Sequence, residues 1–205
     1  LPSMFTARLS LALTEDDVHL EEAWIQTQEL PHGLAVKAGR FLSSMGYLNG
    51  QHPHEQDFAG GNLVYDALLG PHGMLDSGVQ ASWQVPVPFF LSVGVEALQG
   101  REQERFGALV AQEDADAVVV SGAGLSDEKS GPRSGVFYLK AAPYLGEKQS
   151  LQWGASWLQA RQFQQVIDED GSLMDDQFAL QGRQALWGLD VAYAYDAEGQ
   201  NGTGD

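Results

Sequence analysis

A period of two constrains this chain more than any other feature. Residues 150–157, SLQWGASW, set Leu151, Trp153, Ala155 and Trp157 on one side and Gln152, Gly154 and Ser156 on the other. Residues 79–84, VQASWQ, separate Val79, Ala81 and Trp83 from Gln80, Ser82 and Gln84. Along 185–195, the odd positions from Ala185 to Tyr195 face Leu186, Gly188, Asp190, Ala192 and Ala194. Such alternation marks a β-strand with two unlike faces, and helical spacing is scarce. The pattern predicts eight strands, at about 4–13, 18–30, 34–46, 78–84, 89–100, 134–145, 150–163 and 182–195.

The connections between them fall into two sets that alternate. Pro31-His32-Gly33, Val85-Pro86-Val87-Pro88 and Gly146-Glu147-Lys148-Gln149 are short; 47–77, 101–133 and 164–181 are long, with the shorter 14–17 in the same set. In an up-and-down sheet, alternate connections lie at one end, so one end carries tight turns and the other the long loops. Outer-membrane barrels have that asymmetry. Most of the strands also reach the roughly 9–11 residues of a membrane crossing, beyond the roughly 5–6 of a soluble strand. The fold expected is an all-β, antiparallel, up-and-down transmembrane β-barrel of about eight strands, or a contiguous arc of one. Residues 1–205 then form a single β-barrel domain, incomplete at both ends. The start, LPSMF, has no initiator Met, basic n-region or apolar h-region, and the ending AEGQNGTGD is turn-like. The rival is a secreted soluble β-sandwich binding carbohydrate or calcium. It would bury Trp83, Leu91, Trp153 and Trp157 against one another, whereas a barrel turns them to lipid.

Composition removes other classes. With 11 Lys+Arg against 28 Asp+Glu the formal net charge is -17, which excludes a basic nucleic-acid surface. The absence of cysteine removes disulfides, thiolate metal sites and thiol nucleophiles. No apolar run is long enough for a membrane helix.

Residues 20–100 carry specific motifs: LEEAWIQT, KAGRFLSSMGYLN, QHPHEQDF and DSGVQASWQVP. They resemble bacterial outer-membrane β-barrel proteins termed zinc-regulated TonB-dependent outer-membrane receptors, similar in style to phosphate-selective porins. The resemblance is dense over about 80 residues and weaker over 134–195. It implies the outer membrane of a Gram-negative bacterium, contact with its lipid, and passive or regulated uptake of small solutes. No TonB box or plug domain is recognisable.

Candidate site residues follow from chemistry. His52, His54 and His72, with Glu55 and Asp57, are imidazoles and carboxylates suited to Zn²⁺, or else a solvated loop. Glu22, Lys37 and Arg40, with Glu21, lie on adjacent strands. They read either as a lumen charge ladder that selects ions or as cross-strand pairs that fix register. Strand alternation turns Glu21 and Glu22 to opposite faces, which spoils a glycosidase-like carboxylate pair. The run from Asp168 to Asp176 fails the EF-hand spacing, because position 1 falls on Val166. No Ser lies in a nucleophile elbow, so no enzyme is expected. Acidic residues crowd the long connections, and such a rim concentrates cations, a divalent metal among them.

Overall fold

The computed structural model describes residues 4–13, 18–28, 30–51, 63–70, 73–100, 131–168 and 177–195. Eight strands form one antiparallel sheet in chain order: β1 (Phe5–Leu13), β2 (Val18–Thr27), β3 (Leu34–Leu42), β4 (Leu75–Gln84), β5 (Phe90–Leu98), β6 (Ser134–Ala142), β7 (Gln149–Asp168) and β8 (Gln177–Tyr195). One short helix, α1 (Leu63–Leu69), accompanies them. The sheet stays open, with β1 and β8 as its edges. The all-β, up-and-down expectation is met, and all eight strands belong to one sheet rather than to the two of a sandwich.

The register is regular enough to read faces from it, because residues directly opposite share a face. One row runs Gln26, Lys37, Gln80, Glu96, Val136, Leu158 and Leu186 from β2 to β8. The adjacent row on the other face runs Val36, Ala81, Val95, Phe137, Trp157 and Trp187 from β3 to β8. The first face is packed against residues 43–51 and α1; we call it inner. The outer face carries exposed Phe5, Leu9, Ile25, Val79, Trp83, Val95, Trp153, Leu189 and Val191. Trp83 and Trp153 therefore point outward, uncovered by any second sheet among the described residues. Near the short-turn end, Phe5, Trp83, Trp153, Tyr193 and Tyr195 form an outward aromatic fringe. The Trp83 indole N–H donates to the His32 carbonyl of the turn at 3.0 Å. Trp187 lies mid-strand rather than at a strand end, and stacks on Trp157 with ring centroids 5.6 Å apart.

Strand boundaries differ from the sequence reading most consequentially at the β3–β4 and β7–β8 connections. β3 ends at Leu42 rather than 46. The Ser43 amide donates to the Met74 carbonyl at 2.8 Å, and beyond it the chain leaves the ladder to cross the inner face. β4 accordingly starts at Leu75, opposite Leu42. β7 and β8 run on to Asp168 and back from Gln177, so their connection is shorter than 164–181. A register shift between Ala160 and Phe163 separates that extension from the rest.

The hydrophobic core lies between the inner face and the crossing segment. Phe41, Leu98, Val136, Tyr138 and Leu158 of the sheet meet Met45, Leu69 and Met74. The inner face is therefore not merely small or polar, as alternation suggested. Its small residues have a use. A Cβ on Gly94 would fall within the ring of Tyr138, its cross-strand partner, so the aromatic lies flat over a glycine. At Gly39, φ is +130 and a Cβ would strike the Ala23 carbonyl, so only glycine lets β3 approach β2 there.

Candidate pore-lining site

The inner face brings charges together from separate strands. Arg8 of β1 meets Glu22 of β2 at 3.3 Å, and the Trp24 indole donates to Glu22 at 2.8 Å. The Lys37 ammonium lies 4.8 Å from the Trp24 ring centroid and 5.4 Å from that of Phe41, within the fields of Glu96 and Glu22. Of the three lumen candidates, Glu22 and Lys37 are thus inner. Arg40 is not. It pairs with Ala23 and Ser77, one residue out of phase with Lys37, and its Nε donates to the Glu21 carbonyl at 3.1 Å. Glu22 takes Arg8 as its ion partner, a residue that sequence spacing did not single out.

Strict alternation also misplaces Glu21. The β1–β2 register shifts between Ser10 and Leu11, leaving Glu21 as an extra residue on β2. After this bulge both carboxylates reach the Ser10–Arg8 side: Ser10 Oγ donates to Glu21 at 2.7 Å while Glu22 meets Arg8.

Glu96 holds the crossing segment. Its side chain is only 5 % exposed and accepts from Ser43 Oγ at 2.5 Å, the Ser44 amide at 2.8 Å and Gln80 Nε2 at 2.7 Å. Gln80 Nε2 also donates to Ser44 Oγ at 2.8 Å. Further on, the Gly46 amide donates to Ser156 Oγ of β7 at 3.0 Å, and the Met45 methyl would lie 3.7 Å from a Cβ on Gly188 of β8. Asn49 closes the loop, donating to the Ser43 carbonyl at 2.7 Å and accepting from the Met74 amide at 2.6 Å. Residues 43–49 therefore form a strap that reaches from β4 to β8 across the inner face. Sequence reasoning missed it because Phe41, Ser43 and Met45 continue the alternation of β3. The signal present was Gly46, together with inner positions reduced to Gly94, Ser156 and Gly188.

Beyond the strap lies a second inner row, Lys140, Gly154 and Asp190. Asp190 sits over Gly154, whose Cβ would lie 2.6 Å from a carboxylate oxygen. Both Asp190 oxygens are shielded and accept no hydrogen bond among the described residues; Lys140 attracts them without reaching ion-pair distance. A cavity of about 610 Å³ opens here, lined by Tyr47, Tyr65, Gln152, Asp190 and Ala192 among others. A smaller one of about 220 Å³ lies between Tyr65, Leu69 and Gly188. Burial raises the Tyr65 phenol above its ordinary pKa, and the nearby Asp190 charge adds to the effect.

His52, His54 and His72 lie outside the described residues, as do Glu55 and Asp57. Among the described residues no group of three or more His, Asp or Glu side chains is placed to hold a metal ion. Nor is any helix there long and apolar enough to cross a membrane.

Fold and inner face together define an open, up-and-down antiparallel sheet with one apolar exposed face and one charged, strapped face. The chain is 35% identical over 191 residues to an uncharacterised protein of Aquifex aeolicus (strain VF5), an alignment that takes in 93% of this chain. It spans 38% of that relative's length. No protein-family model matches the chain, and no solved structure matches it.

Proposed function

We propose that the chain forms part of the wall of an outer-membrane β-barrel in a Gram-negative bacterium, through which small solutes pass. Uptake rather than catalysis is its role. The carrying observation is the outer face. β1 to β6 are nine or ten residues long, the length of a tilted membrane crossing, and present a predominantly apolar surface to the outside, broken by Arg40 near the end of β3. In water an exposed apolar face of this size invites association; against lipid it is the face a barrel requires. The strap narrows the passage on the inner side. TonB dependence, which the sequence resemblance carries with it, is not needed for this reading.

Cations are the favoured solutes. The eight strands carry six Lys/Arg and six Asp/Glu, so they are neutral. The remaining 5 basic and 22 acidic residues of the chain lie off the strands, and most of the acids lie on the long connections. The test is planar-bilayer recording of the full-length protein under a salt gradient. Discrete conductance with a cation-selective reversal potential is the expected result. Absence of conductance from protein inserted in the bilayer would refute the pore, and anion selectivity would refute the preference.

A further inference from the structure

We propose that Glu96 is the positioning residue that sets the size limit of the passage, by latching the strap across the inner face. The inference rests on the pore reading above. Its basis is the uneven way in which the strap is held. At its start, two of the three donors to the Glu96 carboxylate come from the strap itself, Ser43 Oγ and the Ser44 amide; the third, Gln80 Nε2, is shared with Ser44 Oγ. Hydrogen bonds to an ionised or buried carboxylate are the strong kind, and here they converge on one side chain. At the far side the bonds are dispersed: the Gly46 amide donates to Ser156 of β7, and Met45 and Leu69 add apolar contact. The Tyr65 phenol accepts from the strap backbone at Tyr47 and Leu48 but belongs to α1 rather than to the sheet.

That far side is also poorly filled. Cavities of about 220 Å³ and about 610 Å³ flank Tyr65, and the Asp190 carboxylate beneath accepts no hydrogen bond among the described residues. A shielded carboxylate without a donor favours any arrangement that lets water reach it. Glu96 therefore fastens the strap to the sheet through more hydrogen bonds than the single Gly46–Ser156 bond of the far side. Removal of its carboxylate leaves the buried Ser43 hydroxyl and the Ser44 amide without an acceptor, and the strap moves off the inner face to hydrate them. The passage widens.

The absence of cysteine from the chain makes a clean test available. Full-length wild-type protein, Glu96→Ala, and Glu96→Ala combined with Ser44→Cys and Gln80→Cys are compared in planar bilayers. Polyethylene glycols of graded mass report the exclusion limit. Ser44 Oγ meets the far end of the long Gln80 side chain at 2.8 Å, so cysteines at these positions are oxidised as two disulfides to a short bis-thiosulfonate spacer, which fastens the strap without Glu96 and is released by reduction. The expected result is a higher exclusion mass for Glu96→Ala, return to the wild-type limit when the cysteine pair is oxidised, and the higher limit again on reduction. Glu96→Gln, which keeps an acceptor oxygen and a hydrogen-bonding amide, stays near wild type. An unchanged limit in Glu96→Ala, or a raised limit that oxidation does not lower, overturns the latch. Should Glu96→Ala alone fail to insert, the triple variant is inserted with its cysteine pair oxidised and then reduced in the bilayer: an unchanged limit overturns the latch. No conductance from inserted wild-type protein would instead overturn the pore reading on which the latch rests.

Discussion

Replacing Val95 by arginine tests whether the outer face meets lipid. Val95 sits in the outer row between Ala81 and Phe137 and is 51% exposed. It lies five residues along from Phe90, where β5 leaves its short turn. At about 3.4 Å per residue and a tilt of about 40°, that is roughly 13 Å along the membrane normal. A barrel's apolar band is about 25 Å tall, so Val95 lies near the midplane. Arginine there should cost about 2–4 kcal/mol, falling to about 0–1 kcal/mol near an interface. Leu34, the first residue of β3 and also outward, supplies the interfacial control. Reversible urea unfolding of the full-length protein from phospholipid vesicles measures both. On a water-facing sheet, neither surface substitution should exceed about 0.5 kcal/mol. Equal costs for Val95→Arg and Leu34→Arg would therefore refute the membrane assignment, whatever the fold.

Other substitutions probe the inner face and the outer stack. Gly94→Ala forces the Tyr138 ring aside and should destabilise by about 1–3 kcal/mol in the same unfolding assay, and by much less when introduced into a Tyr138→Val background that already lacks the ring. Glu22→Ala leaves the Trp24 indole N–H without its acceptor and should cost about 1–3 kcal/mol, whereas Arg8→Ala, removing the 44% exposed partner, should cost no more than about 1 kcal/mol. A double-mutant cycle on Trp157 and Trp187 should return a coupling of about 0.5–1.5 kcal/mol, with loss of near-UV circular dichroism in either single variant.

How far the sequence could be read depended on whether a signal was local. Strand faces follow from alternation, so Trp83, Val93, Phe137 and Trp153 were assigned outward and Gln80, Glu96 and Asp190 inward, as the register has them. Turn chemistry placed Pro31-His32-Gly33 and the proline pair at 86 and 88 between strands. The failures arise where the chain departs from period two. One inserted residue at Glu21 reverses every later parity on β2, and no residue type announces it. Arg40 and Lys37 look like neighbours in sequence, yet three residues in a strand is an odd number and puts them on opposite faces. The strap was the largest omission. Its anchor, Glu96, is 52 residues from Ser44, and a single glutamate on an inner face reads as a lumen charge until its donors are known.

The placement of charge separates two origins for ion preference, and salt distinguishes them. Inside, the bases Arg8, Lys37 and Lys140 nearly balance the acids Glu22, Asp76, Glu96 and Asp190, and most are engaged: Glu22 with Arg8 and Trp24, Lys37 over two aromatic rings, Glu96 with the strap. An even wall of this kind has little net field with which to sort ions. The long connections join strand ends on one side of the up-and-down order and contain 17 of the chain's acidic residues against 4 basic ones. In the proposed pore these connections would supply a charged mouth to a wall whose strands sum to zero. The field of a mouth in water is screened over about 8 Å at physiological salt and about 3 Å at 1 M, whereas charges enclosed within a wall are screened far less. Cation preference should therefore be pronounced at 0.05 M salt and largely lost at 1 M, with the larger effect when dilute salt bathes the long-loop side. A preference that is the same at both concentrations would place the selecting charges inside the wall, on residues such as Glu96 and Asp190, and would refute the assignment to the mouth.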